Sequence, residues 1–155
     1  MKMVKTNFPQ IKRDYLETLQ INIGYKCNQA CSHCHVDASP SRTEMMSDKI
    51  IDLIPKVIKT NKIKLLDITG GAPELHPKFK QLVKEVRSLN VEVMDRCNLT
   101  IITEPGHEEL ANFLASNKVQ ITASLPCYLK ENVDKQRGAG VFEKSLLALK
   151  KLNSY

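Results

Sequence analysis

The chain has no tryptophan, and aromatic residues make up only 5% of its 155 positions. With so few rings, and no stripe in which basic and aromatic residues alternate, a stacking platform for single-stranded nucleic acid has no support. Long apolar runs are missing as well. Nothing approaches the roughly 18 consecutive apolar residues of a membrane span, and the stretch from Met1 to Pro9 lacks the apolar core of a secretory signal. The expected address is the cytosol, with no membrane partner. Cysteine is scarce and odd in number: of five, three fall within eight residues, which argues against a disulfide framework and for reduced thiols available to a metal. Low-complexity linkers and literal repeats are absent too. What remains is a chain with 42% hydrophobic content and a formal charge of +6 carried by scattered lysines such as Lys56, Lys59, Lys78 and Lys84. These read as solvated helix faces, with no nucleic-acid surface evident.

Apolar periodicity alternates between strand-like and helix-like stretches from about Thr18 onward, a pattern that implies parallel strands joined by helices. Residues 1–17 read as an amino-terminal extension and 18–155 as one domain. The first strand is expected at Leu19–Ile23. Ser47 then caps a helix with Ile50, Ile51, Ile54, Val57 and Ile58 on one face and a bend at Pro55. A second strand covers Lys64–Thr69 and ends in Gly70-Gly71. Pro77 opens a helix that buries Phe79, Leu82, Val83 and Val86 and stops at Asn90. The third strand spans Val91–Asp95, with an extension toward Ile102. A third helix starts near Pro105, burying Leu110, Phe113 and Leu114, and Asn117 closes it. The fourth strand is Val119–Leu125. After a loop comes a last helix with Phe142, Leu146, Leu149 and Leu152 inward.

These four strand-helix units predict an α/β fold, an incomplete TIM-like barrel of parallel strands. The unusual residues cluster after the carboxyl ends of successive strands: the cysteine loop, Gly70-Gly71, Arg96 to Asn98, and Ser124 to Cys127. That end is where α/β folds build their sites. A partial barrel also leaves its last strand with an open edge, so self-association or a complementary chain is expected.

Cys27, Cys31 and Cys34 offer three thiolates in a C-x3-C-x2-C spacing. Cys31 to His35 matches the C-x-x-C-H of haem attachment, but that leaves Cys27 unused. The three with His33 or His35 could instead close a tetrahedral zinc site. Ordinary packed cysteines fit poorly in a loop containing Asn28, Gln29 and Ser32. The spacing also suits three corners of a cubane iron-sulfur cluster whose fourth iron has no protein ligand.

With the cysteine loop and Gly70-Gly71-Ala72-Pro73-Glu74 both placed after strands, the sequence resembles the radical S-adenosylmethionine superfamily. It is similar in particular to the arsenosugar-biosynthesis branch with its cysteine-rich domain, through Leu19 to Ala38, Asp67 to Glu74, Arg96 to Thr100, Ser124 to Tyr128 and Asn132 to Gly138. The match covers the amino-terminal part of such proteins, which usually continue into further barrel units.

The resemblance implies a [4Fe-4S] cluster on Cys27, Cys31 and Cys34 and S-adenosylmethionine on its open iron. It implies an electron donor such as flavodoxin or ferredoxin, and reductive cleavage of the cofactor to a 5′-deoxyadenosyl radical. The fragment would be delivered to a small-molecule substrate, a methylated trivalent arsenic compound. By the same resemblance, Gly70 and Gly71 line the methionine end and Glu74 supplies the acid that the usual glycine-glycine-glutamate-proline turn has at Ala72. His33 packs beside the adenine, and Arg96, Asn98 and Ser124 reach the ribose and carboxylate. Cys97 and Cys127 fall at the same face, where a soft arsenic centre would suit a thiolate. The competing class is a non-catalytic, metal-stabilised domain acting through a partner.

Overall fold

The computed structural model describes residues 9–12 and 14–155; most of the expected amino-terminal extension, residues 1–8 and 13, lies outside them. Four strands, β1 (Thr18–Asn22), β2 (Leu65–Thr69), β3 (Glu92–Asp95) and β4 (Gln120–Ile121), form one parallel sheet in the order β1-β2-β3-β4. Spatial order follows chain order without reversal. An open doubly wound sheet reverses at a switch point, whereas a barrel adds each strand beside the last, so this topology is that of a partial barrel. The central strand β2 is buried on both faces in its middle, at Leu66, Asp67 and Ile68, and Val93 of β3 has essentially no exposure.

The helices cover the sheet's outer face. The stretch after Ser47 breaks into α1 (Asp48–Ile51) and α2 (Ile54–Asn61), with Pro55 in the first turn of the second. The break resets the helical phase, so Ile51, Ile54 and Ile58 are buried while Ile50 and Val57 turn outward. In α3 (Phe79–Ser88), Phe79, Leu82, Val83 and Val86 are all buried, as their spacing predicts. Asn90, at φ 58°, ends that stretch in the left-handed region that asparagine tolerates. α4 (Leu110–Ser116) buries Leu110, Ala111 and Leu114 and stops at Asn117.

Three expectations are corrected. The third strand does not continue toward Ile102. Leu99–Thr103 instead turns inward as a short 3-10 segment whose first four residues are buried. The fourth strand is short because only Gln120 and Ile121 pair formally, although Thr122 and Ser124 still donate backbone N–H bonds to Asp95 and Cys97 at 2.9 and 3.2 Å. Between β4 and the last helix lies α5 (Lys130–Arg137), read from sequence as a loop because Val133 is its lone buried apolar residue. The last helix, α6 (Val141–Leu152), packs on Leu99–Thr103 through Val141, Ser145 and Ala148, while Phe142, Leu146, Leu149 and Leu152 are only half-buried. No helix among the described residues is long and apolar enough to cross a membrane.

Candidate active site

Parallel strands place every strand-to-helix loop at the same end of the sheet, and there the loops surround a cleft of about 800 Å³. Cys27, Cys31 and Cys34 line it together with Gly70, Gly71, Arg96, Asn98, Ser124 and His33, and so do Gln20 and Arg137. Of the residues that the sequence places at this face, Glu74, Cys97 and Cys127 are missing from its walls.

The glycine pair locks the cysteine loop to the sheet. The Gly71 N–H donates to Gly24 O and the Ala72 N–H to Lys26 O, both at 2.9 Å, so the backbone ladder of β1 and β2 continues into the two loops. A Cβ on Gly71 would meet Lys26 O at 2.5 Å and Ala38 Cβ at 2.9 Å. At Gly70, where φ is 153°, it would meet Gly24 O at 2.6 Å. Only glycine permits so close an approach.

The three loop thiols offer three sulfur ligands to one iron-sulfur cluster from a single cleft wall. Among the described residues, the single set of three histidine, cysteine or acidic groups with ligand atoms all within 4.8 Å of one another is Glu74, Asp95 and Cys97. The loop sulfurs are therefore spread more widely, whereas tetrahedral zinc with bonds near 2.3 Å needs sulfurs about 3.8 Å apart. Two of them already accept N–H bonds: Cys27 Sγ from Asn98 Nδ2 at 3.4 Å, and Cys34 Sγ from the Ala38 backbone N–H at 3.3 Å. Such donors suit thiolate ligands that carry negative charge. Burial pushes the free Cys27 thiol up, which a bound metal would reverse.

The remaining wall is polar. Arg96 grips Asp67 through Nε and Nη2 at 2.9 and 2.8 Å, and Gln20 Nε2 donates to the same carboxylate at 2.6 Å. The Arg96 guanidinium holds the Asp67 carboxyl below its ordinary range. Ser124 and His33 are exposed in the cleft. Asn98 is 4% exposed with its amide fully engaged: besides the bond to Cys27, Nδ2 donates to Asn28 Oδ1 at 2.6 Å, and Oδ1 accepts from Arg137 Nη2 at 2.8 Å and Thr100 Oγ1 at 3.4 Å. Asn98 nevertheless lines the cleft beside Arg96 and Ser124.

Glu74 is displaced inward by the 3-10 turn Pro73–Leu75. Its carboxylate lies with Asp95 and Cys97, and none of the four carboxylate oxygens has a hydrogen-bond partner among ordinary donors. Burial drives both carboxyls upward, and the neighbouring Glu74 pushes Asp95 up further. Two adjacent carboxyls this deeply buried oppose each other's ionisation, so both are driven toward the neutral form. Cys97, with no exposure, is likewise pushed well up by burial and sits outside the cleft. Cys127, beside the cleft but not in its wall, is pulled down by N–H bonds from Leu129 and Asn132.

Sequence reasoning missed Arg137. It is 7% exposed, donates through Nη1 to Ser124 O and through Nη2 to Asn98, and comes from the unanticipated α5. The one available signal was an arginine just before Gly138 at the end of a charged stretch, which says nothing of burial.

The three-thiol loop after β1 and the glycine turn after β2 thus meet at one end of a parallel partial barrel. The model for the radical SAM superfamily matches residues 21–155, and the chain belongs to that superfamily. Its cofactors are S-adenosylmethionine and a [4Fe-4S] cluster. YydG of Bacillus subtilis, ascribed to peptide biosynthesis, is 34% identical over 73 residues, covering 46% of this chain and 23% of YydG. A "Probable GTP 3',8-cyclase" of Saccharolobus solfataricus is 26% identical over 137 residues, 87% of this chain and 43% of that protein. Streptococcus suis SuiB bound to S-adenosylmethionine superposes with a TM-score of 0.73 at 16% identity, over 90% of this chain and 32% of that one. The chain thus spans less than half the length of the relatives it matches.

Proposed function

We propose that this chain forms the cofactor-binding part of a radical SAM enzyme, with Cys27, Cys31 and Cys34 as the cluster ligands. One observation carries the reading: all three thiols share a single cleft wall with the Gly70-Gly71 turn at the carboxyl end of parallel strands. When bound, the cluster supplies the single electron that cleaves S-adenosylmethionine to a 5′-deoxyadenosyl radical.

The protein's own residues bind, orient and shield. Gly70 and Gly71 bring bare backbone to the cleft beside the cysteine loop, leaving room for the methionine end of the cofactor. Arg96, oriented by Asp67, presents a fixed cation to its carboxylate, and Ser124 and His33 offer a hydroxyl and a ring for the ribose and adenine. Glu74, enclosed with Asp95, supports the turn from beneath and makes no contact in the cleft. The relatives named for GTP cyclisation and peptide biosynthesis are 26% and 34% identical over 87% and 46% of this chain, a likeness too distant to carry their substrates over. On the resemblance of Arg96 to Thr100, Ser124 to Tyr128 and Asn132 to Gly138, the substrate we assign is a methylated trivalent arsenic compound, adenosylated in arsenosugar biosynthesis.

Anaerobic reconstitution tests the reading. About four irons per chain are expected, with broad absorption near 400 nm, and 5′-deoxyadenosine should form with S-adenosylmethionine and a strong reductant. Alanine at any of the three cysteines should abolish both. Uptake of zinc alone, or iron binding indifferent to all three substitutions, overturns the assignment. Adenosylated arsenic should appear only when a methylated arsenite is added; its absence beside robust cofactor cleavage removes the substrate and leaves the enzyme class.

A further inference from the structure

The amide of Asn98 has two ends that cannot be exchanged. A guanidinium carries only donors, so the atom facing Arg137 Nη2 at 2.8 Å must be the oxygen. The end facing Cys27 Sγ at 3.4 Å is therefore the NH2 group, an orientation fixed by chemistry rather than by fit. Arg137 is held in turn by its Nη1 bond to the carbonyl of Ser124. Arginine, asparagine and thiol form one buried relay, 7%, 4% and 6% exposed in that order. It joins α5, the loop after β3 and the cysteine loop.

We infer that Asn98, oriented by Arg137, is a positioning residue that sets the reduction potential of the iron-sulfur site through its N–H bond to Cys27. This rests on reading Cys27, Cys31 and Cys34 as the cluster ligands. A donor aimed at a ligand sulfur favours whichever oxidation state carries more negative charge, which is the reduced one, and so raises the potential. Low exposure of all three groups weakens solvent screening of the bond and of the Arg137 charge behind it. Cys34 takes its N–H bond from backbone, and Cys31 receives none among the described contacts. Cys27 is thus the ligand that a side chain tunes.

The test is an EPR-monitored redox titration of reconstituted wild type, Asn98→Ala and Arg137→Leu, with iron counted in each. Both variants should keep four irons while the reduced-to-oxidised ratio at a fixed potential falls about tenfold, equivalent to 59 mV for a one-electron couple. Because a substitution in the relay could also loosen the loop, the wild type provides a second measurement. With 15N confined to asparagine side-chain amides, the reduced cluster should show a 15N hyperfine coupling that vanishes in Asn98→Ala or, should that variant not take up iron, is already present or absent in wild type. Four irons with unchanged potentials, or no 15N coupling in wild type, overturns the tuning role alone. A wild-type chain that takes up no iron overturns the ligand assignment, and this role falls with it.

Discussion

Among the described residues, Glu74 and Asp95 are the buried acids with no hydrogen-bond donor to satisfy them, whereas buried Asp67 is gripped by Arg96 and Gln20. Their carboxyls titrate above the ordinary range near 4 because burial opposes the charged form. A raised folded-state pKa means stability that is complete below the unfolded value and is lost as pH rises toward the folded one. The loss should run at about 1.4 kcal/mol per pH unit for each proton that the folded state retains. Asp95→Asn keeps the shape and a donor for Glu74 without the titration, so its melting temperature should fall less between pH 5 and pH 9 than that of wild type. Parallel curves would show that the pair is not protonated in the folded chain. At Gly71 the consequence is steric: Gly71→Ala forces the turn away from Lys26 O and should cost about 1–3 kcal/mol by denaturant unfolding. The same variant should lose iron on reconstitution, since the turn docks the cysteine loop.

At the scale of elements, helix α6 depends on small residues. Ala148 has no exposure against the 3-10 segment, so Ala148→Leu overfills that contact and should destabilise by about 1–3 kcal/mol, read as a shift in urea midpoint at unchanged slope. A neutral result would mean that α6 can move outward freely. This contact also marks where sequence reading ended. Phe79, Leu82, Val83 and Val86 were legible because large apolar residues at helical spacing declare their face. Ser145 and Ala148 were not, because their burial follows from how near another segment lies, which periodicity does not encode. For the same reason α5 went unread, with one buried apolar residue among charged ones. At the site, the thiols and glycines were legible from spacing and strand ends. Glu74 was placed in the cleft on its neighbourhood to Gly71, and only the turn at Pro73 sends it inward.

On the scale of the whole molecule, the cleft draws on four separate stretches of chain, following β1, β2, β3 and β4, so a ligand that fills it ties them together. With the cluster in place, S-adenosylmethionine at a hundredfold excess over its Kd should stabilise the fold by about 2.7 kcal/mol, seen as a raised melting temperature. Cys27→Ala should show no such shift; an equal shift would place the cofactor elsewhere. The consecutive order of the sheet carries a further consequence. Every strand adds on one side, and the loop that follows it adds one panel to the rim of the cleft. The panels borne by β1 to β3 carry, in order, the three thiols, the glycine clasp and the arginine-carboxylate brace. Novelty in such a scheme is cheapest at the growing edge, beyond β4, where Cys127 and Tyr128 stand in partial or full contact with solvent. A side chain changed beyond β4 thus alters the rim of the cleft without disturbing the cysteine loop, the glycine turn or the Arg96–Asp67 pair.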